Sequence, residues 1–252
     1  MDQQKLVDSQ FGNRAANYLS SEVHAKGEDL ERLASIAASL HPKRALDLGC
    51  GAGHASYALA RGGAKSVIAY DLSRQMLDVV RNESRRYPAI EIREGSVEEL
   101  PFDDEIFDLV VTRYSVHHWL DARRALHEAC RVAAPGSRFV AIDTVSPESP
   151  LLDTVLQTTE ILRDASHVRN YRLSEWEAML EEAGFEQVRH ETFTVRLNFS
   201  SWIERIGTPP ERVAALHATF SAFPEEAKQH FEIGEDGSFT ITVGWIEAVK
   251  NP

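Results

Sequence analysis

Apolar positions recur along this chain in two rhythms. Short, nearly continuous apolar runs occupy 45–48, 67–70, 107–112 and 138–143, and a shorter alternating one spans 90–93. Runs of that length bounded by turn residues predict buried strands. Between them, apolar side chains return every third or fourth position. Leu30, Leu33, Ile36, Ala37 and Leu40 form such a stripe, as do Met76, Leu77 and Val80 after Ser73, and helices are expected over 29–40, about 54–61, from 73 and about 122–131. His41-Pro42 stops the first of these, Gly62-Gly63 the second, and Ala134-Pro135-Gly136-Ser137 the last. Alternation of this kind predicts an α/β fold built on a mostly parallel sheet.

Beyond residue 144 the rhythm loosens. Helices are predicted over 151–163 and 174–183, the second opened by a Ser174/Glu177 capping box and closed at Gly184. A long strand over 185–197 follows, then short helices over 200–206, 210–220 and 225–231, and a terminal alternating strand over 239–249. At the other end, residues 1–43 read as a helical leader in which Phe11, Ala15, Tyr18 and Leu19 share a helical spacing. No internal repeat or low-complexity tract interrupts this single domain.

Composition narrows the function classes. With 252 residues, 43% of them hydrophobic, the chain can bury one large core with a small accessory lobe. Its 39 acidic residues against 27 basic ones give a formal charge of -12, and no long basic run offsets it, which disfavours an extended nucleic-acid footprint. Cys50 and Cys130 lie in apolar surroundings and fit reduced thiols. The N-terminus carries Asp2 and no apolar core of a signal peptide, and no apolar run approaches the length of about 18 residues that spans a bilayer. The expected setting is the cytoplasm, without membrane insertion.

The chemistry concentrates between Arg44 and Asp71. The first apolar run enters a turn carrying Gly49, Gly51 and Gly53, a helix follows, and the second apolar run ends on Asp71. Strand, glycine loop, helix, strand and carboxylate in that order build a nucleoside-binding crevice at the strand ends of an open sheet. Asp71 is then placed to accept hydrogen bonds from a ribose diol. A dinucleotide fingerprint would need its third glycine at position 54, which is His54.

The observed Asp47-Leu48-Gly49-Cys50-Gly51-Ala52-Gly53 resembles motif I of the class I methyltransferases that use S-adenosylmethionine. Asp71-Leu72-Ser73 with Met76-Leu77 is similar to their second cofactor motif. Phe11, Ala15 and Tyr18 resemble the F-x-x-x-A-x-x-Y leader of the menaquinone and ubiquinone biosynthesis methyltransferases. His117-His118 resembles the histidine pair of the type 11 small-molecule group and its uncharacterised bacterial members. The resemblance implies a Rossmann-like seven-stranded sheet of order 3-2-1-4-5-7-6, strand 7 antiparallel, with helices on both faces.

It further implies S-adenosyl-L-methionine as cofactor, held within 44–143. The implied contacts are Asp47, Gly49, Cys50, Gly51, Gly53, Asp71, Leu72, Met76, Ser96, Val97, Arg113 and Tyr18. Leu72 would press on the adenine or ribose, with Met76 on the same wall. The family's usual G-D-A reads Gly95-Ser96-Val97 here, so a neutral hydroxyl stands where an aspartate normally accepts from the adenine amino group, while the Val97 amide remains for adenine N1. The leader would fold over the pocket, and the helical stretches 144–172 and 198–235 would form a substrate cap.

Methyl transfer from a sulfonium needs alignment and exclusion of water, and an oxygen or carbon acid also needs a base. The candidates follow the fourth strand: His117, His118 and Tyr114 for catalysis, with Arg113 able to orient a polar substrate. Adjacent histidines should diverge, so at most one is expected to face the site. The alternative is that both hold the loop while Trp119 packs beneath. Arg163, His167, Arg169, Tyr171 and Arg172 are candidates for a polar rim. Adjacency of the two histidines gives poor geometry for zinc, and no metal is expected. Base-modifying nucleic-acid methyltransferases often carry N/D-P-P-Y/F after strand four, whereas Thr112-Arg113-Tyr114-Ser115 stands here. A small-molecule acceptor is therefore expected, first a quinone precursor or similar aromatic methylated on carbon. The alternatives are O-methylation of a small hydroxyl or carboxylic acid, and a catalytically silent cofactor-binding protein. The chain is expected to be a monomer or homodimer.

Overall fold

Strand β1 (Ala45–Leu48) is buried at every position, because strands flank both its edges and helices cover both faces. The computed structural model describes residues 2–12 and 27–251; Ala15, Tyr18 and Leu19 lie outside them. Around β1 the sheet adds β2 (Val67–Asp71), β3 (Ile90–Glu94), β4 (Phe107–Arg113), β5 (Ala133–Thr144), β6 (Phe185–Leu197) and β7 (Phe239–Lys250). The order is β3-β2-β1-β4-β5-β7-β6. Strands β1 to β5 pair in parallel and β7 runs antiparallel to both β5 and β6. This is the expected seven-stranded sheet.

The helices are α1 (Gln3–Gly12), α2 (Glu28–Leu40), α3 (His54–Arg61), α4 (Arg74–Glu83), α5 (Ala122–Val132), α6 (Pro150–Arg163), α7 (Leu173–Ala183), α8 (Phe199–Ile206), α9 (Pro210–Ala222) and α10 (Glu225–His230). Alternation along the strands divides the core. Ala45, Leu109, Val111, Val140 and Ile142 face Leu33 and Ala37 of α2, Ala58 and Leu59 of α3, and the aromatic group of Trp202, Phe220 and Phe239. Leu46, Val110, Phe139 and Ile246 face Leu126 and Ala129 of α5 and Trp176 and Leu180 of α7. Burying a side chain of this size contributes about 1.5–3 kcal/mol, so both layers are firmly attached.

Three local expectations change. The α7 N-cap is Arg172, whose backbone N–H donates to Glu175 at 2.9 Å, so Ser174 and Glu177 are free to bond Glu148 and His190. Capping preference loses here to the ion pairs that hold Arg172. Strand β5 begins at Ala133 rather than 138, since Ala133 already pairs with Phe107 and the 134–137 turn is absorbed as a register shift. The helix expected over 210–220 runs on to Ala222, while the last two strands are joined by short helices as expected. Among the described residues no helix is long and apolar enough to cross a membrane, and both cysteines are buried and unbridged.

Candidate active site

Two cavities meet at the carboxyl ends of the parallel strands. The first, about 1020 Å³, takes its floor from the glycine loop between β1 and α3. Gly49 holds φ +64°, and a Cβ there would lie 1.8 Å from the Ser115 hydroxyl. The site excludes a side chain both by backbone conformation and by contact. Gly51, at φ +50°, has open space where its Cβ would stand and lines the cavity. The loop is therefore built to bring backbone, rather than side chains, against a ligand.

Asp71 anchors that loop. Its Oδ2 accepts from the Gly51 amide at 2.8 Å and its Oδ1 from the Ser73 amide at 2.8 Å, while the carboxylate remains on the cavity wall. Burial pushes its pKa up, opposed by those two amides. Asp47, 1% exposed, accepts from the Ser56 hydroxyl at 2.6 Å, and burial raises its pKa to about 7. Cys50, Leu72, Met76 and Val97 complete the wall, and burial raises the Cys50 thiol well above its ordinary value. From the leader, α1 contributes Gln3, Gln4, Val7 and Phe11.

Some expected residues sit elsewhere. Gly53 lies off the cavity, with its Cβ direction blocked by the Tyr57 ring. The Ser96 hydroxyl turns away from the cavity to Glu98 and receives the Gln4 amide at 3.0 Å. A short hydroxyl finds these partners locally, whereas Gly95 and Val97 on either side do face the ligand space. Arg113 lines the cavity, but its Nε is paired with Asp29 of α2 at 2.5 Å, and both side chains are almost fully buried. Tyr18 lies outside the described residues.

The second cavity, about 630 Å³, shares Phe11, Tyr114 and His118 with the first. Tyr114 holds the left-handed conformation at φ +50°, rare for a bulky residue and a source of strain typical of functional sites. Burial pushes its phenol well up. The histidines do not diverge. A 3-10 turn (Val116–His118) brings their rings to 4.2 Å between centroids at a tilt of 54°, and both border the second cavity. Trp119 packs beneath as expected and donates to the Ser115 hydroxyl at 2.8 Å.

The two rings are shifted in opposite directions. His117 Nδ1 lies 2.6 Å from Asp143 Oδ1. Burial opposes charge on this ring, but Asp143, with a contribution from Glu160, outweighs it and raises the pKa. His118 is pushed down to about 4 by burial and by the neighbouring His117. Its Nδ1 lies 3.2 Å from the Ser166 carbonyl, which only accepts, so the hydrogen sits on Nδ1 and Nε2 keeps a lone pair.

Asp143 is a further residue of the site, beyond those expected from the chain. Its Oδ2 accepts from the Ser115 and Val116 amides at 3.1 and 2.9 Å and so shapes the histidine turn. Its signal was an acid closing the fifth apolar run, the same position that Asp71 holds on the second. Glu160 and Asn170, also on the second cavity's wall, had no such signal. The expected polar rim is mostly occupied: Arg169 and Arg172 pair with Asp153 and Glu175, and Tyr171 packs on Trp176. His167 binds Gln157 at 3.0 Å, and burial drives its pKa far down. Arg163 alone of this set lines the second cavity.

The residues present fit S-adenosylmethionine. Open space over Gly51, a buried carboxylate on the strand after the loop, and Leu72 and Met76 on an adjoining apolar wall suit a nucleoside, while the lack of a glycine at 54 disfavours a dinucleotide.

Comparison with known proteins agrees with that geometry. Residues 46–141 match the methyltransferase domain of the type 11 family. The chain is 42% identical to the uncharacterized protein YafE of Escherichia coli (strain K12) over 187 residues, 73% of this chain and 90% of that protein. It is 32% identical to the uncharacterized methyltransferase YcgJ of Bacillus subtilis (strain 168) over 250 residues, 96% and 98% of the two chains. The crystal structure of that protein superposes with a TM-score of 0.84 at 30% identity, covering 89% of this chain and 99% of it. The ubiquinone/menaquinone biosynthesis C-methyltransferase UbiE of Brucella anthropi is 29% identical over 223 residues, 77% of this chain and 84% of that one. With the glycine loop, the Asp71 anchor and the 3-2-1-4-5-7-6 sheet all in place, the chain belongs to the class I S-adenosylmethionine-dependent methyltransferases.

Proposed function

We propose that this enzyme methylates a small hydroxylated aromatic molecule seated in the second cavity. The observation that carries the reading is the shared wall: Phe11, Tyr114 and His118 border both cavities, so an acceptor in the second lies next to a cofactor in the first. Bound S-adenosylmethionine supplies an electrophilic methyl group. The chain's own residues then have two tasks, to align the acceptor and to remove its proton.

His117 suits the second task. With Nδ1 engaged by Asp143, its neutral form presents Nε2 as the remaining base, and Asp143 stabilises the imidazolium that forms on proton uptake. His118, held neutral, and Tyr114 position the acceptor at the junction. The 144–172 and 198–235 segments supply Glu160, Arg163, Trp202 and Arg205 to the same cavity, which supports their role as a substrate cap. The α1 leader covers the cofactor side and excludes water.

Loss of a phenolic proton activates both the oxygen and the adjacent ring carbon. The similarity to a quinone-biosynthesis C-methyltransferase favours carbon methylation of a quinone precursor. O-methylation of a hydroxyl is the second reading, favoured by the direct reach of a base to such a proton. The enzyme is read as cytoplasmic, a monomer or homodimer, without nucleic-acid substrates. Incubation with labelled S-adenosylmethionine and panels of quinols, phenols and carboxylic acids, followed by mass spectrometry, tests the proposal. Methylated quinols or phenols are expected; label transferred only to protein or nucleic acid would overturn it.

A further inference from the structure

Asn170 and Arg163 line the second cavity and are not among the residues it shares with the first. Asn170 is 2% exposed and lines this cavity, yet its Nδ2 finds no acceptor among the described residues. Its backbone, by contrast, is fully clamped. The Gln157 side chain accepts from the Asn170 N–H at 3.1 Å and donates to the Asn170 carbonyl at 2.8 Å. That clamp fixes the residue and leaves the side-chain amide for another purpose. A buried amide without a partner costs about 1–3 kcal/mol, so its retention on a cavity wall points to a ligand oxygen.

Arg163 stands on the same wall. Its Nε donates to the Trp202 carbonyl at 3.1 Å, and its guanidinium lies 5.0 Å over the Trp202 ring. These contacts set the plane of the group. No carboxylate among the described residues forms an ion pair with it, although Glu160 lies one helical turn earlier. Among the described residues the two terminal nitrogens make no hydrogen bond of their own, which leaves a guanidinium fork of the kind that grips a carboxylate through two parallel hydrogen bonds. Burial pushes the Glu160 carboxyl up, opposed by the Arg163 and His117 charges.

Resting on the reading of this cavity as the acceptor site, we infer that the acceptor carries a carboxylate, seated on Arg163 and Asn170. The carboxylate is then a handle and not the group methylated. The ring and its hydroxyl extend from this seat toward His117, His118 and Tyr114. The substrate class is accordingly an aromatic hydroxy acid.

The test measures binding by calorimetry to protein saturated with S-adenosylhomocysteine. The probes are 4-hydroxybenzoate, 3,4-dihydroxybenzoate and 3-hydroxy-2-naphthoate, each beside its neutral methyl ester. The acids should bind roughly tenfold or more tightly than their esters. Arg163→Met should abolish that preference, and Asn170→Asp, nearly identical in shape, should weaken the acids while sparing the esters. Thermal midpoints and S-adenosylhomocysteine affinity report that each variant is folded. Esters binding as well as acids, an unchanged preference in both variants, or no binding by any acid would overturn the carboxylate seat. The acceptor-site reading fails separately: Ile241→Trp fills this cavity, and turnover of any acceptor found by the methyl-transfer panels should disappear with it. If that turnover survives, the cavity is not the acceptor site.

Discussion

The His117 Nδ1 lies 2.6 Å from the Asp143 Oδ1, and the same carboxylate holds the turn that carries the histidine through two backbone amides. Removing its charge should act on chemistry and on pH response together. Asp143→Asn is expected to lower kcat by roughly 10²–10⁴, with S-adenosylhomocysteine affinity little changed. In the intact enzyme His117 has a raised pKa, so activity should climb as pH rises through a value above the ordinary 6.5. In the variant that limb should move to lower pH. A profile that stays in place would show that another group is the base.

The same pair contributes to stability with a defined sign. Because the folded pKa of His117 is raised, its stabilisation is complete below about pH 6.5 and is lost as pH rises through the folded value. Urea unfolding of the ligand-free protein at a series of pH values should show that decline, and Asp143→Asn should flatten it.

Asp47 produces a decline at lower pH. Its pKa rises from 3.8 to about 7 on folding, chiefly through burial. Between those values the unfolded chain sheds its proton first, so stability should fall as pH increases, by up to about 1.4 kcal/mol per pH unit. Asp47→Asn retains an acceptor for Ser56 and should remove this component of the slope. An identical slope in the variant would assign the effect elsewhere.

Two neighbouring glycines should separate folding from binding. Gly49→Ala adds a methyl 1.8 Å from the Ser115 oxygen at a positive φ. It should cost about 2–5 kcal/mol in unfolding measurements. Gly51→Ala meets open space, so its stability cost should stay near about 1 kcal/mol. Its methyl group enters the cavity, and S-adenosylmethionine affinity should drop by roughly tenfold or more, about 1.4 kcal/mol. Calorimetric titration of both variants checks the contrast.

The Asp29–Arg113 pair ties the leader's second helix to the strand that ends at the cavity. Both side chains are at most 6% exposed, so Asp29→Ala, which removes a buried countercharge from the guanidinium, should destabilise by about 3–5 kcal/mol. Replacing both partners, as Asp29→Leu with Arg113→Met, should cost less than Asp29→Ala alone, because no buried charge is left unpaired. A double variant less stable than the single would contradict that account.

Much of this enzyme was legible in its chain. The two-residue and three-to-four-residue periodicities marked strands and helices because they arise from local geometry, and the loop from Asp47 to Gly53 with Asp71 marked the cofactor site because each element lies within one βαβ unit. The sequence order of those residues is also their spatial order. The acceptor site was legible only in part. His117 and His118 were visible, but their convergence on one cavity was not, since a 3-10 turn pinned by Asp143 sets their direction. Asn170 and Glu160 gave no local signal, and Arg163 stood out only as one of five candidates for a polar rim. They reach the cavity because α6 and the segment after it fold back over the strand ends, and only the folded geometry leaves Arg163 without an ion-pair partner among the described residues while Arg169 and Arg172 find Asp153. Local periodicity determined the α/β class, and the motifs, through the family they resemble, determined the strand order and the cofactor; only tertiary packing, which chooses partners for each charge and amide, decided the cavity proposed to receive the acceptor.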